Sequence, residues 1–177
     1  MNCTCGSKLK EKRIPLYHYK ESGLPFVFLS GIKIAICGKC GEKYPIIPAI
    51  LDLHEKIAEA VALKPVNLTG AEVRFLRKQL GLTAAQWASY LKTDKATVSR
   101  WENDHNPIGR QSDAFMRFVY FRLLEERENK HFRENISNRI ASVEPDGVEI
   151  GFKLPADNPS AYSFVAAKEL SRAALAC

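Results

Sequence analysis

Between Leu68 and Glu102 the apolar residues recur every three or four positions: Val73, Leu76 and Leu80, then Trp87, Ala88 and Leu91, then Val98 and Trp101. This is the period of helices with one buried face. Polar residues between these groups predict three helix starts. Thr69 with Glu72, and Thr83 with Gln86, have the spacing of a capping box. Asp94 is placed to accept the orphan amides of a third start. Gly81 closes the first helix as a left-handed cap. Only a few residues around Lys92 and Thr93 separate the second helix from the third. So short a link makes the two cross steeply, as a helix-turn-helix unit.

On the N-terminal side the pattern shifts to short β-rich runs. Ile14 to Tyr19, Pro25 to Leu29 and Ile32 to Ile36 predict three strands of a small meander, with turns at Glu21-Ser22-Gly23 and Ser30-Gly31. A helix is predicted over Ile46 to Leu63, with Ile50, Leu53, Ile57, Ala60 and Val61 on one face, ending at Lys64-Pro65. Beyond Pro107 and Gly109 a long helix is predicted from near Ser112. Phe115, Met116, Phe118, Val119, Tyr120, Phe121, Leu123 and Leu124 cover most of its circumference. That excess apolar surface needs a second copy or the C-terminal tail against it. Glu125 to Asn138 is highly charged and is expected to continue as a solvated helix or to fray. Ile140 to Glu144 and Val148 to Leu154 then flank an Asp146-Gly147 hairpin turn, with a third strand over Ala161 to Val165 and a short helix or a mobile end over Ala166 to Leu175.

Charge is uneven. Residues 1–65 hold ten basic against six acidic residues, 66–124 nine against five, and 125–177 seven against nine. The basic two-thirds suits a polyanion. No apolar run reaches about 18 residues, and the N-terminus has no signal-peptide character, so a cytoplasmic protein is expected. In that compartment cysteines serve as ligands or catalysts more often than as disulfides. Cys3 and Cys5 form a C-x-C pair and Cys37 and Cys40 a C-x-x-C pair, each followed by glycine (Gly6, Gly41). Four thiolates suit a closed structural Zn2+ site, which would staple a core too small to hold alone. A redox dithiol and an incomplete metal site are the rivals. His18 and His54 are spare ligand candidates, and Cys177 is unpaired.

The stretch Leu82-Thr83 to Ala88, followed by Asp94 to Glu102 ending in Trp-Glu, resembles the helix-turn-helix of the lambda and 434 repressors and the wider xenobiotic-response-element family. Arg77 and Glu102 stand where that family pairs an arginine on its first helix with the glutamate that ends its third. Cys3, Cys5, Cys37 and Cys40, the Glu21-Ser22-Gly23-Leu24 turn and the Thr97-Val98-Ser99-Arg100-Trp101-Glu102 stretch together resemble the MqsA antitoxin family with its YgiT-type zinc finger, over about residues 1–125. The one-residue spacing of the first cysteine pair and the tail of about fifty residues depart from it. That resemblance implies a zinc domain that neutralises an RNA-cleaving toxin, and a helix-turn-helix domain that dimerises and represses an operon.

Read through the repressor resemblance, Lys95, Ala96 and Arg100 are the base readers. Arg100 suits guanine, and Ala96 offers a methyl to thymine. Thr97 and Ser99 are expected at phosphates or base edges. Thr83 at a helix start, with Lys92, Asn103 and Arg110, is expected on the phosphate backbone. The expectation is an α+β multidomain chain: a zinc-binding β-meander plus helix over 1–64, an all-α helix-turn-helix domain over 66–128, and a C-terminal extension with a β-hairpin over 129–177. Its expected function is a homodimeric repressor binding double-stranded operator DNA, with an antitoxin that sequesters a toxin protein as the alternative. No Ser-His-Asp, paired-carboxylate or open-zinc constellation suggests an enzyme.

Overall fold

The computed structural model describes residues 2–47, 49–128, 140–143, 150–155, 163–166 and 169–170. They mix small β-sheets with helices. The chain divides into two compact units. One holds residues up to Leu53 together with those from Gly151 onward, and the other runs from His54 to Ile150.

In the first unit, strands β1 (Leu9–Arg13), β4 (Lys33–Cys37) and β5 (Lys43–Ile46) form an antiparallel sheet in the order β1-β4-β5. Strands β2 (Leu16–His18) and β3 (Val27–Ser30) form a hairpin inserted between β1 and β4. The expected meander is therefore two sheets. β1 escaped the sequence pattern because Leu-Lys-Glu-Lys-Arg has no apolar alternation. It is an edge strand, where charges guard against further pairing. The Lys20–Ser22 turn ends at Gly23 with φ +75°, a conformation glycine adopts without penalty.

β3 is buried on both faces, with Val27, Phe28 and Leu29 at most 1% exposed. A strand so enclosed needs neighbours on both edges. β2 supplies one antiparallel, and β6 (Ile150–Pro155) supplies the other parallel, pairing Val27 with Phe152 and Leu29 with Leu154. β7 (Ser163–Ala166) completes the order β2-β3-β6-β7. The stretch expected as a separate extension thus contributes strands to the sheet of the N-terminal unit. Ile140 and Ala141 are helical, not extended as expected, since so short an apolar run has no decisive period. The turn at Glu144 to Gly147, Val148, residues 129–138 and Cys177 lie outside the described residues.

Helix α1 (Ile50–Leu63) starts four residues later than expected, because Lys43–Ile46 is spent in β5; the unit boundary falls within it. In the second unit its residues Ile57, Ala58, Ala60, Val61 and Ala62 are fully buried. With them pack α2 (Gly70–Gln79), α3 (Ala84–Tyr90), α4 (Lys95–Glu102) and α5 (Arg110–Glu128), whose core includes Leu76, Trp87, Val98, Met116 and Tyr120. Arg117 sits in that core with no exposed surface. Its guanidinium donates to the carbonyls of Ala62, Lys64 and Val66 and to Asp113, 2.7 Å away. Asp113 also accepts the Leu68 amide. The Ala62 carbonyl in the last turn of α1, and the Lys64 and Val66 carbonyls just beyond it, are thereby satisfied. This ties α1 beyond His54 to the helical unit rather than to the cysteine-bearing one. Among the described residues no helix is long and apolar enough to cross a membrane.

Candidate metal centre and candidate nucleic-acid interface

The four cysteines lie on two matching turns. Gly6 donates its amide to the Cys3 carbonyl and Gly41 to that of Cys37, and both glycines have positive φ (+82° and +75°). These turns bring all four sulfurs within 4.8 Å of one another, with Cys3–Cys40 and Cys5–Cys37 each at 3.4 Å. A tetrahedral ion with metal–sulfur bonds of about 2.3 Å needs sulfur–sulfur edges of roughly 3.8 Å. The set therefore fits and can hold a metal ion. Cys3 and Cys37 are buried, Cys5 and Cys40 exposed. The Cys5 amide, then the Tyr44 hydroxyl 3.6 Å away, hold the Cys3 thiol down at about 6. The amides of Cys40 and Lys39 lower that of Cys37. The Glu42 amide favours the Cys40 thiolate too, but the sulfurs of Cys37 and Cys3 outweigh it and hold Cys40 at about 12. A cation among the sulfurs would favour the thiolate form of all four. The short C-x-C spacing is no obstacle, because the Cys5 amide itself reaches Cys3. Nothing in the sequence pattern marks Tyr44 as a partner of the cysteines beyond its place in β5. His18 is occupied, its Nε2 2.8 Å from the Pro25 carbonyl and its ring stacked on Phe28. His54 lies edge-on to Phe75.

In the second unit both capping boxes are closed as expected, at Thr69–Glu72 and Thr83–Gln86. Asp94 accepts the Thr97 amide (2.8 Å) and hydroxyl (2.6 Å), contacts that lower its carboxyl below the usual range. Lys92, in the turn between α3 and α4, takes φ +54°, the left-handed conformation such a turn demands. Arg77 grips Glu102 through a fork, Nε to Oε1 at 2.6 Å and Nη2 to Oε2 at 2.8 Å, and donates Nη1 to the Leu82 carbonyl. Arg74 adds bonds to the Glu102 carbonyl and to Asn103 Oδ1. Asp104 caps α2 by accepting the Gly70 amide at 2.8 Å. Arg74 and Asp104 carry no marker in the sequence that separates them from ordinary surface charges.

This stitching holds α4 by its C-terminus and one flank. Val98 and Glu102 are buried and Trp101 is half-buried, while Lys95, Ala96, Ser99, Arg100 and Asn103 make one exposed face. Lys92 and Arg110 are exposed as well. Three expected contacts are already engaged within the chain. Thr83 closes its capping box, Thr97 gives its hydroxyl to Asp94, and Asn103 donates to the Ser99 carbonyl while accepting from Arg74. Compared with family models, curated proteins and solved structures, this chain matches none.

Gly70 fixes how closely α2 approaches the end of α4. A Cβ there would meet the Trp101 carbonyl oxygen at 2.3 Å and the Glu102 carbonyl carbon at 2.9 Å, both backbone atoms. Gly70→Ala should therefore destabilise the helical unit by about 1–3 kcal/mol. Urea titration followed by fluorescence of Trp87 and Trp101 would measure it, and an unchanged midpoint would refute the close approach.

Proposed function

We propose that this chain is a sequence-specific double-stranded DNA-binding repressor, acting as a homodimer and carrying one structural zinc ion. The exposed face of α4 is the observation that supports this most. It presents two cations and a small apolar side chain, projecting from a helix whose other flank is fixed to α2 by the Arg77–Glu102 fork. In this reading α3 and α4 form a helix-turn-helix. α4 enters the major groove, Lys95 and Arg100 address bases, and Lys92 and Arg110 neutralise phosphates. Repression is by occupancy, since a bound dimer excludes polymerase from the promoter.

Cys3, Cys5, Cys37 and Cys40 would hold the zinc ion. Bound there, it supplies folding energy to the N-terminal unit rather than chemistry, because four thiolates leave no open coordination position. The homodimer would form on the exposed side of α5, where Phe115 and Phe118 lie one turn apart at 42% and 56% exposure. Phe118→Asp should convert the dimer to a monomer in sedimentation and weaken operator binding. An unaltered dimer would place the contact elsewhere.

The reading as a whole is tested by sequencing genomic DNA that co-precipitates with the full chain. A two-fold pair of half-sites about 34 Å apart, or a multiple of that, is expected. Coverage without any shared sequence would refute it.

A further inference from the structure

We propose that α4 selects a guanine preceded on the same strand by a pyrimidine that carries a C5-methyl group, supplied by thymine or by 5-methylcytosine. This rests on the duplex-DNA reading above and names what the exposed face reads.

The inference comes from what that face still has to offer. The carboxamide of Asn103 is committed to Ser99 and Arg74, so α4 presents no free amide for the bidentate pair that identifies adenine. Asp94 is committed to the helix start, so no free carboxylate on α4 accepts from cytosine N4. The Thr97 hydroxyl is donated to Asp94. Lys95, Ala96, Ser99 and Arg100 remain exposed. Of these only Arg100 has the forked geometry that matches guanine O6 and N7.

Ala96 is four residues before Arg100, so the two Cβ atoms are neighbours on the helix, about 5–6 Å apart. That distance spans fewer than two base-pair steps of about 3.4 Å. In the major groove the C5 position of the pyrimidine 5′ to a guanine lies beside that guanine's O6 and N7 edge. A methyl group there would meet the Ala96 side chain on one side and the flat guanidinium of Arg100 on the other. Ala96 has no polar atom, so it registers the methyl and not the base that bears it.

Two matched pairs of duplexes test this. The full chain is first used to enrich a random duplex library. The pyrimidine before the guanine of the enriched half-site is then varied as thymine against deoxyuridine, and as 5-methylcytosine against cytosine. Each pair differs by the methyl alone. Loss of the methyl should weaken binding about fourfold in both pairs, the equivalent of ~0.8 kcal/mol for one buried methyl-sized group. Ala96→Gly should shrink both differences while keeping the guanine preference, and Arg100→Ala should remove the guanine preference. Equal binding of thymine and deoxyuridine, or of 5-methylcytosine and cytosine, would overturn the inference and leave DNA binding standing. Failure to enrich any sequence would overturn the reading beneath it. Should Ala96→Gly fail to fold, the two pairs still decide with the unaltered chain.

Discussion

Exhaustive chelation is expected to unfold residues 2–47 while leaving α2 to α5 intact. The two outer strands of the sheet around the sulfurs have little to hold them otherwise. β1 is almost wholly charged, and β5 is an edge strand interrupted by Pro45. Structural zinc in small domains contributes about 10–16 kcal/mol, enough to decide whether such a unit folds. The chain carries its own reporters for the two halves of this expectation. Both tryptophans, Trp87 and Trp101, belong to the helical unit, whereas Tyr17, Tyr19 and Tyr44 belong to the cysteine-bearing one. Near-UV tyrosine dichroism should fall as metal leaves, with tryptophan emission unchanged. Tyrosine signal undiminished in a protein proved metal-free, beyond the share of Tyr90 and Tyr120 in the helical unit, would show that the thiols alone suffice.

Arg117→Ala should be the most damaging single change in the helical unit. The guanidinium and its partner Asp113 are both at most 1% exposed. Removing one partner leaves a buried carboxylate without its counter-charge, and leaves the carbonyls of Ala62, Lys64 and Val66 without a donor. Breaking a buried pair in this way costs about 3–5 kcal/mol, a large share of the roughly 5–15 kcal/mol that holds a domain together. Denaturation followed by tryptophan emission would measure it. The double variant Arg117→Met with Asp113→Asn should lose less than the two single variants combined, because no uncompensated charge remains. Strict additivity would mean that Arg117 acts through packing alone.

Several parts of this architecture were legible in the residue pattern for physical reasons that are local. Capping boxes are written within four residues, so the starts of α2 and α3 were readable at Thr69 and Thr83. The cysteine pairs, separated by thirty-odd residues, were readable because few other reasons place four thiols in such turns. What the pattern concealed is non-local. Arg117 interrupts an apolar run and reads as a surface charge. Only the arrival of three carbonyls, one from the last turn of α1 and two from the segment after it, makes it a core residue. β6 was legible as an extended run, but its partner was not. The parallel pairing with β3 joins residues more than a hundred positions apart, and it follows from the burial of β3 on both faces. On α4 the exposed face followed from helical spacing. The internal commitments of Thr97 and Asn103 did not, because a side chain with a near neighbour to bond offers less to a ligand than its type suggests.

Arg100→Ala tests directly whether α4 presents its exposed face to the bases of duplex DNA. Binding of the unaltered chain and the variant would be compared on an enriched operator and on scrambled duplex of the same length, at one fixed salt concentration. Loss of the guanine contact should weaken operator binding roughly five- to 150-fold, the range expected for one bidentate pair of about 1–3 kcal/mol, with a much smaller effect on scrambled DNA. Equal weakening on both duplexes would make Arg100 a general cation and contradict base reading by α4.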